Sequence, residues 1–260
     1  MKPTFTSKFT LQFGGFSHVG LRREHNEDAF CINPELRLAL VADGMGGHNS
    51  GEIASKMAIE TIEGFYRATS LDDEITWPYK MDRKLGETEN RLRVAALLSN
   101  DRIWETSRRN ELYHGMGTTI IAAAFDSEEA VLANVGDSRC YLFRSGELVQ
   151  VSVDHSLLNE TLKHQSLTPE EIQNFPHKNV IVRAVGIKEF VEVDLFRVPL
   201  HRGDVFLLCS DGLTDMVPDT VIADILLTTP DLTLASKLLI REANERGGMD
   251  NVTAALVSAR

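Results

Sequence analysis

The most prominent pattern along the chain is a set of continuous apolar runs, each about as long as one β-strand. Such runs are typical of strands that are buried on both faces of a sheet. They lie at residues 36–43, 118–125, 129–137 and 204–211. Residues 139–144 and 147–153 flank Ser145-Gly146, which predicts a hairpin, and residues 190–198 alternate as a half-buried strand does.

Apolar residues recur at helical spacing in other parts of the chain. The segments are 51–66, about 83–109 and 232–246. The last one ends at Gly247-Gly248, which is a signal for the end of a helix. A short helix is predicted to begin at Pro169, because Thr168 and Glu171 have the spacing of a capping box.

These elements do not alternate as strand, helix, strand, and hairpin-linked strands favour antiparallel pairing. We therefore predict an α+β fold, in which a central antiparallel β-sandwich is flanked by α-helices on both sides. The sequence contains no internal repeat, low-complexity tract or long linker, so residues 1–260 are predicted to form a single domain. The irregular segment 154–186 is predicted to form a flap.

Composition and charge restrict the possible partners. The net charge of −11 argues against nucleic acid or an anionic membrane as the main partner, because both attract basic surfaces. No apolar run has the length of a transmembrane helix, and the N-terminus shows no secretory signal pattern. The widely spaced Cys31, Cys140 and Cys209 do not suit a disulfide framework or a zinc site. They favour a reducing compartment, so we expect a cytoplasmic protein.

Aspartates stand at the ends of the apolar runs. Three of them follow a run directly, and a fourth stands where a further strand is predicted to begin. In an antiparallel sheet the end of one strand lies beside the start of its neighbour, so all of them can meet at one edge of the core. They are Asp43, Asp137, Asp211 and Asp250.

A group of carboxylates of this kind requires a cation, because carboxylates that share a site repel one another. No cluster of lysine or arginine lies in these segments, and oxygen ligands without matching histidines or cysteines suit Mg²⁺ or Mn²⁺. A pair of such ions can activate a water and bind a phosphoryl group. Glycine after Asp43 and Asp211 lets the backbone come close to an ion, and the carbonyl oxygen of Gly44 can serve as a ligand. A single Asp-Gly pair is also typical of an ordinary turn, so the residues alone leave both interpretations open.

Several longer motifs occur in the order in which they are found in one known family. They are VGLRREHNEDAF (19–30), LALVADGMGGHNSGEIAS (38–55), GMGTTIIAAAF (115–125), LANVGDSRCYLFRSGEL (132–148), DHSLL (154–158), VIVRAVG (180–186), GDVFLLCSDGLTDMV (203–217) and DNVTAALV (250–257). The sequence therefore resembles the metal-dependent protein phosphatases of the 2C (PPM) family, in particular the short bacterial members. The resemblance extends over residues from about 13 to 258.

The resemblance implies hydrolysis of phosphoserine and phosphothreonine in proteins, by a water activated at a centre of two Mn²⁺ or Mg²⁺ ions. At the matching positions it implies that Asp43 bridges the two ions and that Gly44 gives its carbonyl oxygen to one of them. Asp211 and Asp250 complete the ligands of the other ion.

The resemblance also implies roles for further residues around this centre. Glu27 and Asp28 hold waters bound to the ions. Asp137 and Asp215 match the positions that bind a third, weaker ion in bacterial members. Arg23 matches the arginine that binds the substrate phosphate.

Two roles stay open in the sequence. Arg22 competes with Arg23 for the phosphate, and the motif spacing favours Arg23; a guanidinium suits this task because it can bind two phosphate oxygens at once. Many eukaryotic members carry a histidine, proposed as the general acid, where this chain has Met45. His48 is a candidate to protonate the leaving oxygen. A water at the metal centre is an equal candidate, and His48 can instead cap the following helix.

The resemblance further implies phosphoprotein substrates and a cognate Ser/Thr kinase, which the enzyme opposes in bacterial signalling. The segments 70–90 and 154–186 are predicted to influence the choice of substrate, because their composition is irregular. A pseudophosphatase that keeps only the fold is one alternative, and the complete set of Asp43, Asp211 and Asp250 disfavours it. A two-metal nuclease or another phosphoesterase is a second alternative, and the acidic net charge disfavours it.

Overall fold

Two antiparallel sheets form the centre of the structure, a computed structural model that describes residues 8–47, 50–71, 75–177 and 180–260. In chain order the strands are β1 (Leu11–His18), β2 (Asp28–Asn33), β3 (Leu38–Met45), β4 (Gly117–Thr118), β5 (Ile120–Phe125), β6 (Glu129–Val135), β7 (Arg139–Arg144), β8 (Glu147–Gln150), β9 (Asp194–Pro199), β10 (Val205–Cys209) and β11 (Val252–Ala259). The first sheet has the order β1-β11-β10-β7-β8. The second has the order β2-β3-β5-β6-β9, and β4 pairs with the end of β3.

Helices cover the outer faces of both sheets, and two short helices lie between β8 and β9 in the chain. They are α1 (Ser50–Leu71), α2 (Glu87–Arg109), α3 (Leu157–Leu162), α4 (Pro169–Gln173), α5 (Asp211–Thr214), α6 (Asp219–Thr228) and α7 (Leu232–Glu245), with a short 3₁₀ helix at Glu111–Tyr113. Helices α1 and α2 pack on the second sheet, and α5, α6 and α7 pack on the first. Within the described ranges, no helix is both long and apolar enough to cross a membrane.

Strand β3 shows why its sequence is a continuous apolar run. Leu38 and Leu40 point to the α1 and α2 side, whereas Ala39 and Val41 point to the interface between the two sheets. Since successive side chains of a strand alternate between faces, a strand in the middle layer needs apolar residues at every position. The predicted α+β sandwich with helices on both sides is confirmed.

The first sheet is built in the same way. Leu207 of β10 packs under α5, α6 and α7, while Phe206 and Leu208 point into the interface between the sheets. There the ring of Phe206 meets Phe125 of the second sheet edge to face, with 5.3 Å between the ring centroids. Each fully buried side chain of this size contributes about 2 kcal/mol of hydrophobic free energy.

Two predicted elements begin several residues later than the sequence indicates, and the structure gives the reason for each. The strand predicted at 190–198 begins only at Asp194, because its partner β6 ends near Asn134 and the chain then turns at Gly136, where φ is +111°. The helix predicted from residue 83 begins at Glu87, since the N–H of Gly86 donates to the carboxylate of Glu89 and closes the first turn. The short helix at Pro169 with its capping box is confirmed.

The predicted flap, residues 154–186, lies between β8 and β9 and carries α3 and α4. It is joined to the core by a bridge between Val185 and Thr118, and a second bridge joins Ser156 to Ile181 within it. The flap therefore contacts the short strand β4, beside the end of β3. The assignment of the chain to a single domain stays a prediction.

Candidate metal centre

The pairing of β2 with β3 places Asp28 directly opposite Asp43 at the end of the second sheet. The carboxylate of Asp28 is buried, and its Oδ2 accepts hydrogen bonds from Ser210 Oγ at 2.8 Å and Thr253 Oγ1 at 2.6 Å. Thr253 lies in β11 of the first sheet, and Ser210 directly follows β10 of the same sheet. Asp28 thus connects the two sheets at the edge where the candidate ligands lie.

The backbone of Asp43 is fixed by two threonines. Its N–H donates to Thr119 Oγ1 at 2.9 Å, and its carbonyl accepts from Thr119 N at 2.8 Å and from Thr118 Oγ1 at 2.9 Å. Thr119 Oγ1 is also 2.7 Å from Ser138 Oγ, which follows Asp137. The two threonines of the GMGTT motif therefore hold the backbone of Asp43 in place, and Thr119 connects it to Ser138 beside Asp137.

Asp137 and Asp211 approach the same edge from the two sheets. Asp137 follows the turn at Gly136, and Asp211 begins α5 directly after β10. The carboxyl groups of Asp211 and Asp43 are close enough to influence each other's pKa. Asp215, one helical turn after Asp211, is exposed and adds negative charge nearby. Six of the predicted acidic residues are therefore neighbours in space: Asp28, Asp43, Asp137, Asp211, Asp215 and Asp250.

The electrostatic environment disfavours the charged forms of these carboxyl groups. Burial raises the pKa of Asp28 to about 7 and that of Asp137 to about 7, and the charge of Asp211 adds to both effects. Burial together with the charges of Asp215 and Asp250 raises the pKa of Asp211 to about 6. The pKa of Asp43 lies well above its usual range for the same causes, burial first. A divalent cation at this edge removes the repulsion that the carboxylates exert on one another.

Arg23 reaches the same edge from the loop between β1 and β2. Its Nη2 lies 2.6 Å from Oδ2 of Asp250, and the other oxygen of Asp250 accepts from the N–H of Asn251 at 2.8 Å. Arg23, rather than Arg22, therefore contacts a carboxylate of the site. The ion pair is substantially exposed, with 53% of the Arg23 side chain accessible, so a ligand can reach the guanidinium.

Asn251 holds the loop that carries Arg23. Its Oδ1 accepts from the N–H of Glu27 at 2.8 Å, and its Nδ2 donates to the carbonyls of Val19 and His25, both at 2.9 Å. The side chain is buried, so one amide group fixes both ends of the loop against the start of β11. The three partners of Asn251 lie more than 220 residues away in the chain, so the local sequence does not reveal this contact.

Glu27 and Gly44 pack against the start of α1. The Glu27 carboxylate accepts a hydrogen bond from the backbone N–H of Gly51, while burial raises its pKa. A Cβ at Gly44 would lie 2.1 Å from the carbonyl oxygen of Gly51 and 2.6 Å from that of Glu27. Glycine at position 44 is therefore required by the packing of three backbone segments, a steric reason that is independent of any ion.

The donor groups fit hard divalent cations. Three buried carboxylate oxygens at this edge have no hydrogen-bond partner: Asp28 Oδ1, Asp137 Oδ1 and Asp211 Oδ1. An unpartnered buried charge is costly, and carboxylate oxygens are the ligands that Mg²⁺ and Mn²⁺ prefer. Among the residues that the structure describes, no three His, Cys, Asp or Glu side chains already form a complete ligand set.

The candidate proton donor His48 lies outside the described residues. Met45, at the position of the eukaryotic histidine, pairs with Gly117 of β4. Its thioether cannot donate a proton. The identity of the general acid stays a prediction.

The flap is anchored to the edge that carries the candidate metal ligands by His155. The backbone N–H of Gly136 donates to His155 Nδ1 at 3.0 Å, and His155 N donates to the Gly136 carbonyl at 2.9 Å. On the other side of the ring, Nε2 lies 3.2 Å from Asp194 and 2.9 Å from Arg183. Burial lowers the pKa of His155, so the neutral ring links the turn before Asp137 to the flap.

Comparison with known proteins agrees with this architecture. The family profile of protein phosphatase 2C matches residues 16–234. The serine/threonine phosphatase stp of Listeria welshimeri is 39% identical over 245 residues, with 92% of both chains covered. Protein phosphatase PhpP of Streptococcus pneumoniae is 39% identical over 253 residues, with 95% of this chain and 97% of the relative covered.

Solved structures give the same result. The serine/threonine phosphatase PstP/Ppp of Mycobacterium tuberculosis is 34% identical with a TM-score of 0.82, over 95% of this chain and 98% of that one. The catalytic domain of PstP in complex with two manganese ions is 33% identical with a TM-score of 0.81, over 97% of this chain and 99% of that one. The chain therefore belongs to the protein phosphatase 2C family, among its bacterial serine/threonine phosphatases.

Proposed function

We propose that the protein hydrolyses phosphoserine and phosphothreonine in proteins with the help of a pair of Mn²⁺ or Mg²⁺ ions. Asp43, Gly44, Asp211 and Asp250 would hold the pair. The observation that carries this proposal is the group of three buried carboxylate oxygens without a partner at one sheet edge. The manganese complex of the 33% identical PstP supports the choice of metal.

When bound, the ions supply Lewis acidity, which lowers the pKa of a water and offsets the charge of the phosphoryl group. The aspartates of this chain then have to hold the ions rigidly. Asp43 is suited to a bridging position, since its backbone is fixed on both sides by Thr118 and Thr119. Asp137 and Asp215 are proposed to hold a third ion at the outer side of the site.

Glu27 and Asp28 are proposed to orient waters around the ions. Asp28 accepts two hydroxyl hydrogen bonds on one oxygen only, and its other oxygen stays available for a water. Glu27 is fixed at the start of α1 by the N–H of Gly51. Both carboxylates are thus held in a fixed orientation, and they can still accept hydrogen bonds from water.

Arg23 is proposed to bind the phosphate of the substrate. Only its Nη2 contacts Asp250, and a guanidinium carries five N–H donors. The others can bind two phosphate oxygens in parallel, which orients the phosphorus toward the attacking water. Because the loop is fixed by Asn251, the guanidinium stays beside Asp250 before the substrate arrives.

The biological role follows from the substrate class. We propose that the enzyme opposes a cognate Ser/Thr kinase in bacterial signalling, and that it works in the cytoplasm. The three free cysteines, two of them buried, are consistent with a reducing compartment.

The proposal is tested by hydrolysis of a phosphothreonine peptide and of p-nitrophenyl phosphate. We expect turnover with Mn²⁺, no turnover in EDTA, and recovery when Mn²⁺ is returned in excess. Single-stranded DNA and nucleotides are assayed in parallel, and no release of product is expected from them. Manganese-loaded protein that leaves both phosphate esters intact, or that prefers DNA, contradicts the proposal.

A further inference from the structure

A groove of about 530 Å³ lies between Met45 and residues 181–192, which comprise the end of the flap and the segment that follows it. Its lining is mainly apolar, and several of the side chains are unusually open to solvent. Phe190 is 81% exposed, Ile187 39% and Val182 38%. Exposed apolar side chains that line one groove mark a binding surface more often than isolated ones do.

The wall of the groove is fixed by the core. The side chain of Asn100 on α2 accepts from the N–H of Gly186 at 2.8 Å and donates to the carbonyls of Lys188 and Glu189 at 3.1 and 2.9 Å. Asn100 itself is buried. The exposed apolar side chains therefore stand on a rigid backbone, so little ordering free energy is lost when a ligand binds.

The groove lies directly beside the candidate metal centre, because Met45 in its lining is the residue after Gly44. Met45 follows Gly44 directly and pairs with Gly117, and a Cβ at Gly117 would lie 2.6 Å from Cδ1 of Ile187. A polypeptide whose phosphorylated residue sits beside Gly44 therefore has this groove next to it. The groove is continuous with the site, not a separate surface.

The charges around the groove do not form a patch of one sign. Arg183 is held by Asp194 at 2.5 Å, and the lining also contains Lys188 together with Glu160 and Glu192. Apolar contact is thus the feature with which the groove can discriminate between ligands.

We propose that this groove binds the polypeptide of the phosphoprotein substrate beside the phosphorylated residue, and that it selects for an apolar side chain close to the phosphoserine or phosphothreonine. The proposal rests on the proposed phosphatase function and names the substrate feature that the same site recognises. Phe190 and Ile187 are specificity-determining residues and take no part in the chemistry.

The test compares phosphothreonine peptides in which a single leucine is moved one position at a time away from the phosphothreonine, with a glycine version as reference. Wild-type enzyme is compared with Phe190→Ala and with Leu227→Ala. Leu227 is 63% exposed on α6 and serves as a matched control, because α6 packs on the other sheet. p-Nitrophenyl phosphate, which has no flanking residues, reports the chemistry alone.

We expect at least one leucine position to raise kcat/KM about tenfold over the glycine peptide, the effect of one buried apolar group. Phe190→Ala removes most of that gain and leaves p-nitrophenyl phosphate unchanged, and Leu227→Ala changes neither. A leucine preference that is absent at every position, or that Phe190→Ala leaves intact, overturns the proposal.

Binding of the same peptides in EDTA, followed by fluorescence anisotropy, separates this proposal from the phosphatase function. We expect the best leucine peptide to bind wild type more tightly than it binds Phe190→Ala. If the enzyme hydrolyses no phosphate ester, the phosphatase function fails, and equal binding to the two proteins then overturns the groove as well.

Discussion

Replacing Asn251 by alanine tests whether the Arg23 loop is positioned by one buried amide. The change removes three hydrogen bonds, to the N–H of Glu27 and to the carbonyls of Val19 and His25. It leaves the ligand carboxylates in place. Arg23 keeps its own contact with Asp250 but loses the fixed loop that holds it there.

The magnitude follows from the three bonds. A hydrogen bond inside a protein contributes about 1 kcal/mol net, so the free energy of unfolding should fall by about 3 kcal/mol. Water can reach part of the loop, since His25 is exposed, and this lowers the expected loss to about 2 kcal/mol. For a chain of this length the melting temperature should then drop by about 4–8 °C. Once the loop is no longer fixed, Arg23 should be positioned less precisely. We expect kcat/KM to fall about 100-fold, because a shift of about 1 Å in a catalytic group can have an effect of this size.

The assay compares Asn251→Ala with Asn90→Ala. Asn90 is also a buried asparagine, and it holds a different loop through the backbone of Asp82, Leu85 and Gly86. Both variants should lose stability by a similar amount in thermal unfolding. Only Asn251→Ala should lose activity toward p-nitrophenyl phosphate when the folded enzyme is saturated with Mn²⁺. Equal activity of the two variants would refute the positioning argument.

Two further changes test the packing around the site. Thr253→Val removes the hydroxyl that donates to Asp28 at 2.6 Å. Mn²⁺ should then bind about tenfold more weakly by calorimetric titration, as is usual when a hydrogen-bonding group around a metal site is lost; unchanged affinity would show that Asp28 needs no such support. Gly44→Ala should destabilise the fold by more than about 3 kcal/mol in denaturant unfolding, because its Cβ would meet the Gly51 carbonyl at 2.1 Å. Gly64→Ala on the exposed face of α1, where a Cβ meets nothing within 4 Å, should instead stabilise by about 0.5–1 kcal/mol. A soluble Gly44→Ala variant with wild-type stability would show that packing does not require glycine at position 44.

The layered fold could be predicted from periodicity alone where both faces of a strand are covered. β3 and β10 are uninterrupted apolar runs because each contributes to two clusters of the core. Strand β1 was not predicted, since Gly14 and Gly15 weaken its pattern. A Cβ at Gly14 would lie 2.4 Å from the N of Thr233 at the start of α7. The glycine is thus required by a contact between distant parts of the chain, which local propensity does not reveal.

The meeting of the aspartates could also be predicted, because strand ends in an antiparallel sheet are neighbours. The end of β10 lies beside the start of β11, which brings Asp211 close to Asp250 as this argument requires. Asp28, which is paired with Asp43, entered through the resemblance and not through the strand ends. The groups that hold them could not be found in this way. Ser210 lies 182 residues from Asp28 in the chain, and Thr253 lies 225 residues away. Their hydroxyls look like ordinary strand positions until the two sheets are placed together.

The roles of individual residues depended on motif order more than on physics. Nothing local to Arg23 distinguishes it from Arg22, and its partner Asp250 lies 227 residues away. The structure adds a physical difference, because only Arg23 contacts a site carboxylate. From the sequence, glycine at position 44 indicates a backbone that comes close to an ion. The structure gives a different reason for this glycine, because a side chain would clash with the backbone of Gly51 and Glu27.

We propose that the carboxylates at this sheet edge form a centre for divalent cations. The most direct test of this metal binding is equilibrium dialysis against Mn²⁺, with metal and protein quantified in the same sample. Asp43→Asn is the informative variant, since it keeps the size of the side chain and removes the charge that the other aspartates surround. We expect at least two tightly bound ions per wild-type chain and fewer than two in Asp43→Asn, with loss of phosphatase activity. Wild-type protein that binds no Mn²⁺, or a variant that binds as many ions equally tightly, would show that these carboxylates do not form a metal centre.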